Sequence, residues 1–194
     1  MNPRRKKQKS QQTRAELMHS AVQIFGERGF VSATIAEITD NAGYAKGNFY
    51  RYWKSKDDIF LDILRDRLRT YRCGRQRGLE KAQTANEVLD VLVDFLETII
   101  DDANWSKVFL EFSIYACRKE DLKRKYNSSD YRLSAELFSA ILSPFTADSA
   151  AAKKLGGLVT ALFEGFLIQQ SLGSEVLSKQ DLRQAIQHLA HEFL

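Results

Sequence analysis

TIAEITDNAGYAKGNFYRYWKSK, residues 34–56, is the stretch that decides the fold. Thr34 stands three residues before Glu37, the spacing of a capping box. In that box the hydroxyl accepts the N–H at 37 and the carboxylate reaches back to the N–H at 34, so a helix starts here. Ile35 and Ile38 face inward, and the helix is short, ending near Asn41. Gly43 follows where the chain must turn with a positive φ. A third short helix is expected over about residues 45–53, with Phe49 and Trp53 four apart on its buried side. Two short helices joined by a tight, glycine-bearing turn make a helix-turn-helix.

Upstream, Leu17, Ala21, Ile24 and Phe25 form one apolar face, predicting a helix over about 12–28, and Gly29 stands where a C-terminal cap glycine would. Residues 1–10, MNPRRKKQKS, carry charge without apolar periodicity and are expected to be a mobile arm. Downstream, Ser55 and Asp58 suggest another box, and Ile59, Phe60, Ile63, Leu64 and Leu68 trace a long helix toward Gly78. The connection from Trp53 to Lys56 is too short for a flexible linker, so the reading head is expected to move rigidly with that helix. Further helices are predicted over about 84–101, 104–117, 119–143 (ended by Pro144), 149–172 and 179–193. Thr84 with Glu87 and Ser178 with Asp181 supply capping boxes. No segment alternates with period two. The chain is thus expected to be all-α, with about nine helices in two domains: a basic arm and three-helix helix-turn-helix domain over 1–54, and a helical domain over 55–194.

A length of 194 residues, 44 % of them hydrophobic, allows a sizeable core. The net charge of +4 conceals an asymmetry. Residues 1–56 hold eleven Lys/Arg against four acids, whereas the remainder is slightly acidic. Phosphate neutralisation by such a segment is the general source of nucleic-acid affinity, although charge alone leaves a solvated basic tail equally open. Cys73 and Cys117 lack metal spacing and are expected to be buried, unreactive thiols, with a single disulfide as the alternative. With no apolar run resembling a signal peptide or membrane span, the expected location is the cytoplasm, away from any membrane. His188 and His191 lie three apart in the last helix but have no assured further ligand, and no nucleophile elbow or phosphate loop occurs. No catalysis, metal or cofactor is expected.

Ala21, Phe25, Gly29, Phe30, Thr34, Ile38, Ala42, Gly43, Gly47, Phe49, Tyr50, Trp53, Ser55 and Lys56 together resemble the N-terminal signature of the tetracycline-repressor (TetR) family of bacterial regulators. The match is dense across about residues 14–60. Beyond it, only helix count, helix lengths and Gly165 agree. The resemblance implies a repressor that binds a palindromic operator in double-stranded DNA as a homodimer and is released when a small apolar or aromatic effector of unknown identity enters the C-terminal domain. A helix of this kind fits the major groove, where base edges are distinguishable. Tyr44, Ala45, Lys46 and Asn48 fall outside the Phe49/Trp53 stripe and are the candidate base readers: Lys46 for guanine, Asn48 for adenine or a phosphate, Ala45 or Tyr44 for a thymine methyl. The family implies phosphate clamps at Thr34, Tyr50, Tyr52 and Lys56. Tyr52 stands where a histidine is frequent and Tyr44 where a valine is frequent. The basic arm either adds minor-groove or phosphate contacts or only raises non-specific affinity.

In the family the following helices enclose an effector, which points here to Phe95, Trp105, Phe109, Glu111, Phe112 and Phe138. Aromatics around a carboxylate suit a flat or cationic ligand, although the same spacing also reads as core. Leu158, Leu162, Gly165, Phe166, Leu182, Ile186, Leu189 and Phe193 are the candidates for a four-helix dimer interface.

Overall fold

A computed structural model describes residues 3–126, 135–146 and 148–193. The helices are α1 (Pro3–Arg28), α2 (Ile35–Asn41), α3 (Lys46–Phe49), α4 (Lys56–Leu79), α5 (Ala85–Asp101), α6 (Ala103–Cys117), α7 (Glu120–Tyr126), α8 (Ala135–Leu142), α9 (Ser149–Ser171) and α10 (Lys179–His191). No strand occurs among the described residues. The protein is all-α, as its periodicity indicates.

The boxes at Thr34/Glu37, Thr84/Glu87 and Ser178/Asp181 form with both bonds and start α2, α5 and α10. At α4 the pattern is shifted. Ser55 Oγ accepts the Asp58 N–H, but the Asp58 carboxylate takes the N–H of Lys54 instead of closing on Ser55. Of the expected helix over 119–143, α7 and α8 are seen at its ends, and 127–134 lie outside the described residues. Pro144 sits within a 3₁₀ turn, Ser143–Phe145, that continues α8.

Two expectations are corrected. The basic segment is not an irregular arm: α1 begins at Pro3. Proline suits the first helical position, where its missing N–H has no intrahelical partner to lose, and the Arg, Lys and Gln residues that follow are good helix formers with no breaker before Thr13. Cys73 and Cys117 are free and exposed rather than buried. They occupy the polar faces of α4 and α6, which the apolar stripes of those helices leave to solvent.

The chain divides into two compact units, residues 1–66 with 108–126 and residues 67–107 with 127–194. This differs from a boundary at 54/55, because the first turns of α4 and the second half of α6 complete the core beneath the helix-turn-helix. In that core Phe25, Phe30, Phe60 and Phe112 are each fully buried. The Phe60 and Phe112 rings stack with centroids 3.7 Å apart, and Phe30 meets Phe112 edge-on at 4.9 Å.

The connection from α1 to α2 is held from two sides. Gly29 has φ +77°, a conformation that glycine adopts without strain. It turns the N–H groups of Phe30 and Val31 toward Glu111 of α6, whose carboxylate accepts both at 2.6 and 3.0 Å. The carbonyls of the same segment are met by Lys56 of α4. Its ammonium donates to Phe30 O, Val31 O and Ala33 O at 2.6, 2.7 and 2.7 Å, using all three of its protons.

In the other unit, α5 buries Val88, Leu92, Leu96 and Ile99, and α9 contributes Leu155, Val159, Phe163 and Phe166. α8 packs on α9 and α5, and α10 packs on the same two helices. Arg183 of α10 fixes the α10 to α5 contact by reaching Asp94 at 2.5 Å and Glu97 at 2.9 Å, and Lys179 pairs with Asp101 at 2.7 Å.

Candidate nucleic-acid interface

α2 is docked on α1 by polar bonds at the edge of the core. Ser20 Oγ donates to Ile38 O at 2.7 Å, and the Asn41 amide donates to Ser20 Oγ and Gln23 Oε1. The turn is made by Gly43, with φ +72°. α3 is shorter than its periodicity suggests. It makes a single helical turn, Lys46–Phe49, after which the Tyr52 and Trp53 N–H groups both fold back on Phe49 O. Gly47 inside the helix and the aromatic run 49–53 are poor propagators, so anchoring rather than propensity fixes the segment. Phe49 is fully buried, and Trp53 Nε1 donates to Asp62 at 2.6 Å while Arg14 bridges to the same carboxylate at 2.7 Å.

The tyrosines carry a second set of ties. The Tyr52 phenol donates to Ser10 O at 3.0 Å and shares a bond with Ser10 Oγ. The Tyr44 phenol donates to Glu16 and accepts from Thr13 Oγ1 at 3.4 Å. That bond and one from Gln12 hold the Glu16 carboxyl below its ordinary pKa. Both rings bind the reading segment to α1, and between them lies a cleft of about 590 Å³. Arg5, Lys6 and Lys9 line one side and Asn48 and Arg51 the other. A cleft walled by cations and hydroxyls has the chemistry to hold a phosphodiester.

The segment places the sequence candidates unequally. Ala45, Lys46 and Tyr50 are exposed and Asn48 is half-buried beside them. The Thr34 hydroxyl is spent in its own cap, donating to the Glu37 carboxylate at 2.8 Å. Lys56 is corrected as a phosphate clamp, because its three donors are committed to backbone carbonyls. Burial also pulls its pKa below the usual lysine value. Arg51 was missed by the sequence reading. It lies between two tyrosines, off the apolar stripe, and ends exposed on the cleft wall.

Residues 17–63 match the sequence profile described as "Bacterial regulatory proteins, tetR family". The likeness of this N-terminal part is to the TetR family. It is similar to the HTH-type transcriptional regulator BetI of Brucella suis, 26 % identical over 164 residues that cover 84 % of this chain and 82 % of that one. The uncharacterised HTH-type transcriptional regulator YfiR of Bacillus subtilis is 26 % identical over 152 residues, covering 73 % and 69 %. Among solved structures, a putative transcriptional regulator from Saccharomonospora viridis in complex with choline superposes with a TM-score of 0.77 at 19 % identity, covering 93 % of this chain and 96 % of that one. FadR from Bacillus subtilis in complex with stearoyl-CoA gives 0.71 at 18 %, covering 92 % and 96 %. These likenesses agree with the fold. The protein is a TetR-type transcriptional regulator whose helix-turn-helix is its DNA-binding domain.

The effector candidates are dispersed. Glu111 is corrected as a ligand-binding carboxylate, since both its oxygens bind the Phe30 and Val31 amides. Phe112 is likewise corrected: it is stacked on Phe60 at full burial. Phe109 is 3 % exposed in the same unit. Trp105 and Phe138 are each 1 % exposed in the other unit, where the Arg67 guanidinium lies 4.3 Å from the Trp105 ring. Phe95 alone of the six lines a described cavity, between α4 and α5.

The dimer candidates also separate. Leu158, Leu162 and Gly165 are exposed along one side of α9. Phe166, Leu182 and Ile186 are buried within the chain itself, which corrects their assignment to a partner. The stripe of α10 is consumed by α5 and α9, and Leu189 and Phe193 are half-buried at its end. No helix of the described residues is long and apolar enough to cross a membrane.

Proposed function

We propose that this chain is a ligand-responsive repressor that binds a palindromic operator in double-stranded DNA as a homodimer, in the cytoplasm, and leaves it when a small apolar or aromatic molecule occupies the unit formed by 67–107 and 127–194. The observation that carries this reading is the reading segment itself. Ala45, Lys46, Asn48, Tyr50 and Arg51 are presented together while Phe49, Trp53, Tyr44 and Tyr52 fix the backbone beneath them. Lys46 and Asn48 supply base-edge donors, and Arg51 with Arg5, Lys6 and Lys9 neutralises phosphate.

The homodimer reading is supported by α9, which exposes Leu158, Leu162 and Gly165 at i, i+4 and i+7, then Leu172 a turn or two beyond. Glycine in such a stripe lets a second helix approach closely, and a two-fold axis gives two reading segments for two half-sites. The solved relatives holding choline and stearoyl-CoA support small-molecule control.

Selection of bound DNA from a random pool tests the reading. An enriched palindrome is expected. Lys46→Ala should weaken and broaden recognition, costing about 1–3 kcal/mol at one base position. Arg51→Ala should weaken all sequences alike and reduce the salt slope by about one. Equal affinity for random DNA would overturn it. Leu158→Glu with Leu162→Glu should yield monomers in sedimentation, and an unchanged dimer would remove α9 as the interface.

A further inference from the structure

The unit formed by 67–107 and 127–194 contains a buried cation that the described residues leave unmatched. Arg75 of α4 is 8 % exposed, and its Nε and Nη1 atoms are buried without a hydrogen-bond partner among the described residues. Three of the five guanidinium donors, those on Nε and Nη1, are thus buried unpaired, which is costly for a group that stays charged. The Phe95 ring of α5 lies against it, with its centroid 4.9 Å from Cζ. That contact returns part of the lost hydration but occupies none of the in-plane donors. Burial, with Arg72 close by, lowers the pKa of Arg75, so its surroundings act against the charge rather than for it.

A second observation is independent of that charge. Arg75 lines a cavity of about 450 Å³ between α4 and α5. α4 opens this space with Gly74, mid-helix, where an added Cβ would meet nothing within 4 Å. Glycine inside a helix is unfavourable, so at Gly74 helix stability has been given up and room has been gained. One turn on, Gly78 serves packing instead: a Cβ there would come within 3.0 Å of Val91. Tyr71, Val91 and Phe95 give the cavity apolar walls, and Thr98 adds a hydroxyl at its edge. Asp94 also borders it, but Arg183 holds that carboxylate at 2.5 Å, so the Asp94 charge is already matched from the other side.

We infer that this cavity binds a small organic carboxylate with an apolar or aromatic body, its anionic head paired with the buried Arg75 guanidinium and its body lying along Phe95 and the space above Gly74. An arginine presents paired N–H groups that match a carboxylate in plane, whereas a neutral or cationic head would leave them orphaned. The volume lies within the range of small-molecule sites. The inference rests on the ligand-responsive reading above and gives the effector a charge. It is opposite in sign to the one that Glu111 suggests in the sequence.

The test is direct binding to the full chain without DNA. Benzoate and phenylacetate are titrated by calorimetry, with benzamide and benzylamine as neutral and cationic counterparts. The anions are expected to bind and benzamide and benzylamine to bind at least tenfold more weakly. Arg75→Met should lose about ten- to a hundredfold in benzoate affinity, as expected for a hydrogen bond to a charged group. It should also melt no lower than the parent, because it removes an unmatched buried charge. Gly74→Leu, whose Cβ meets nothing within 4 Å and which suits a helix better, should fold at least as well and exclude the ligand.

Equal binding of benzoate and benzamide, failure of both anions to bind, or undiminished benzoate binding in Arg75→Met would overturn the proposal. A drop in the melting temperature of ligand-free Arg75→Met would show a structural arginine and overturn it too. Operator selection with the parent chain, run alongside, separates the two readings. Specific DNA binding without carboxylate binding removes only this inference, and carboxylate binding without specific DNA binding removes only the operator reading.

Discussion

Replacing Lys56 with methionine separates two roles that this position can have. In the structure its ammonium is a strut: three carbonyls of the α1 to α2 connection accept from it within 2.7 Å. Methionine keeps the stem and removes the donors. The Val31 carbonyl is exposed and water replaces the lost bond there, whereas those of Phe30 and Ala33 are part-buried. Two stranded part-buried acceptors, at about 1–3 kcal/mol each, put the loss at roughly 2–6 kcal/mol. The assay is urea unfolding followed by tryptophan emission in a Trp105→Phe background, which leaves Trp53 beneath the reading segment as the only tryptophan. The midpoint is expected to fall with little change in slope. At salt where both proteins are folded, the salt slope of DNA binding should not change. A phosphate clamp predicts the reverse, a slope lower by about one with the midpoint unmoved, and that result would refute the strut.

Gly29→Ala should destabilise the same connection by roughly 1–2 kcal/mol, since φ is +77° and a Cβ would come within 2.9 Å of the Glu111 carboxylate; a midpoint shift in thermal unfolding checks it, and no shift would mean that the connection relaxes freely. The carboxyls of Glu37 and Glu87 are held below their ordinary pKa by bonds from their own caps, the Thr34 hydroxyl first for Glu37 and the Gln83 N–H first for Glu87. A depressed folded pKa means fewer bound protons in the folded state. The stabilisation is therefore full above about pH 4.5 and is lost as pH falls through the folded value. Glu37→Gln with Glu87→Gln should flatten that acid limb in stability measured from pH 6 to pH 3, and an unaltered limb would count against these caps as its source.

The elements that sequence describes best here are those whose signals are local. Thr34/Glu37, Thr84/Glu87 and Ser178/Asp181 start helices through bonds spanning three residues, and Gly43 announces its turn alone. Phe49 and Trp53 are legible as anchors because the period and the burial coincide. What sequence conceals is long-range partnership. Glu111 looks like a ligand among aromatics, yet its partners are amides some eighty residues earlier. Lys56 is expected as a clamp from the family resemblance, and only the folded chain shows three carbonyls around it. The apolar stripe of α10 is visible in the periodicity, but periodicity does not say whether the covering surface belongs to α5 and α9 or to a second copy. Arg75 lies in an arginine-rich stretch in which nothing local marks one residue as buried.

The continuation of α1 down to Pro3 turns a quantity of charge into a phase. On a helix Arg5 and Lys9 are four residues apart and share a side with Thr13, which Tyr44 ties to the reading segment, as Tyr52 ties the nearby Ser10. A disordered tail of the same composition would be indifferent to the insertion of one residue. Here, one residue inserted between Lys9 and Thr13 would swing the outer cations by about 100° around the axis while leaving every charge in place. What the N-terminus offers a polyanion is thus a direction as well as a sum.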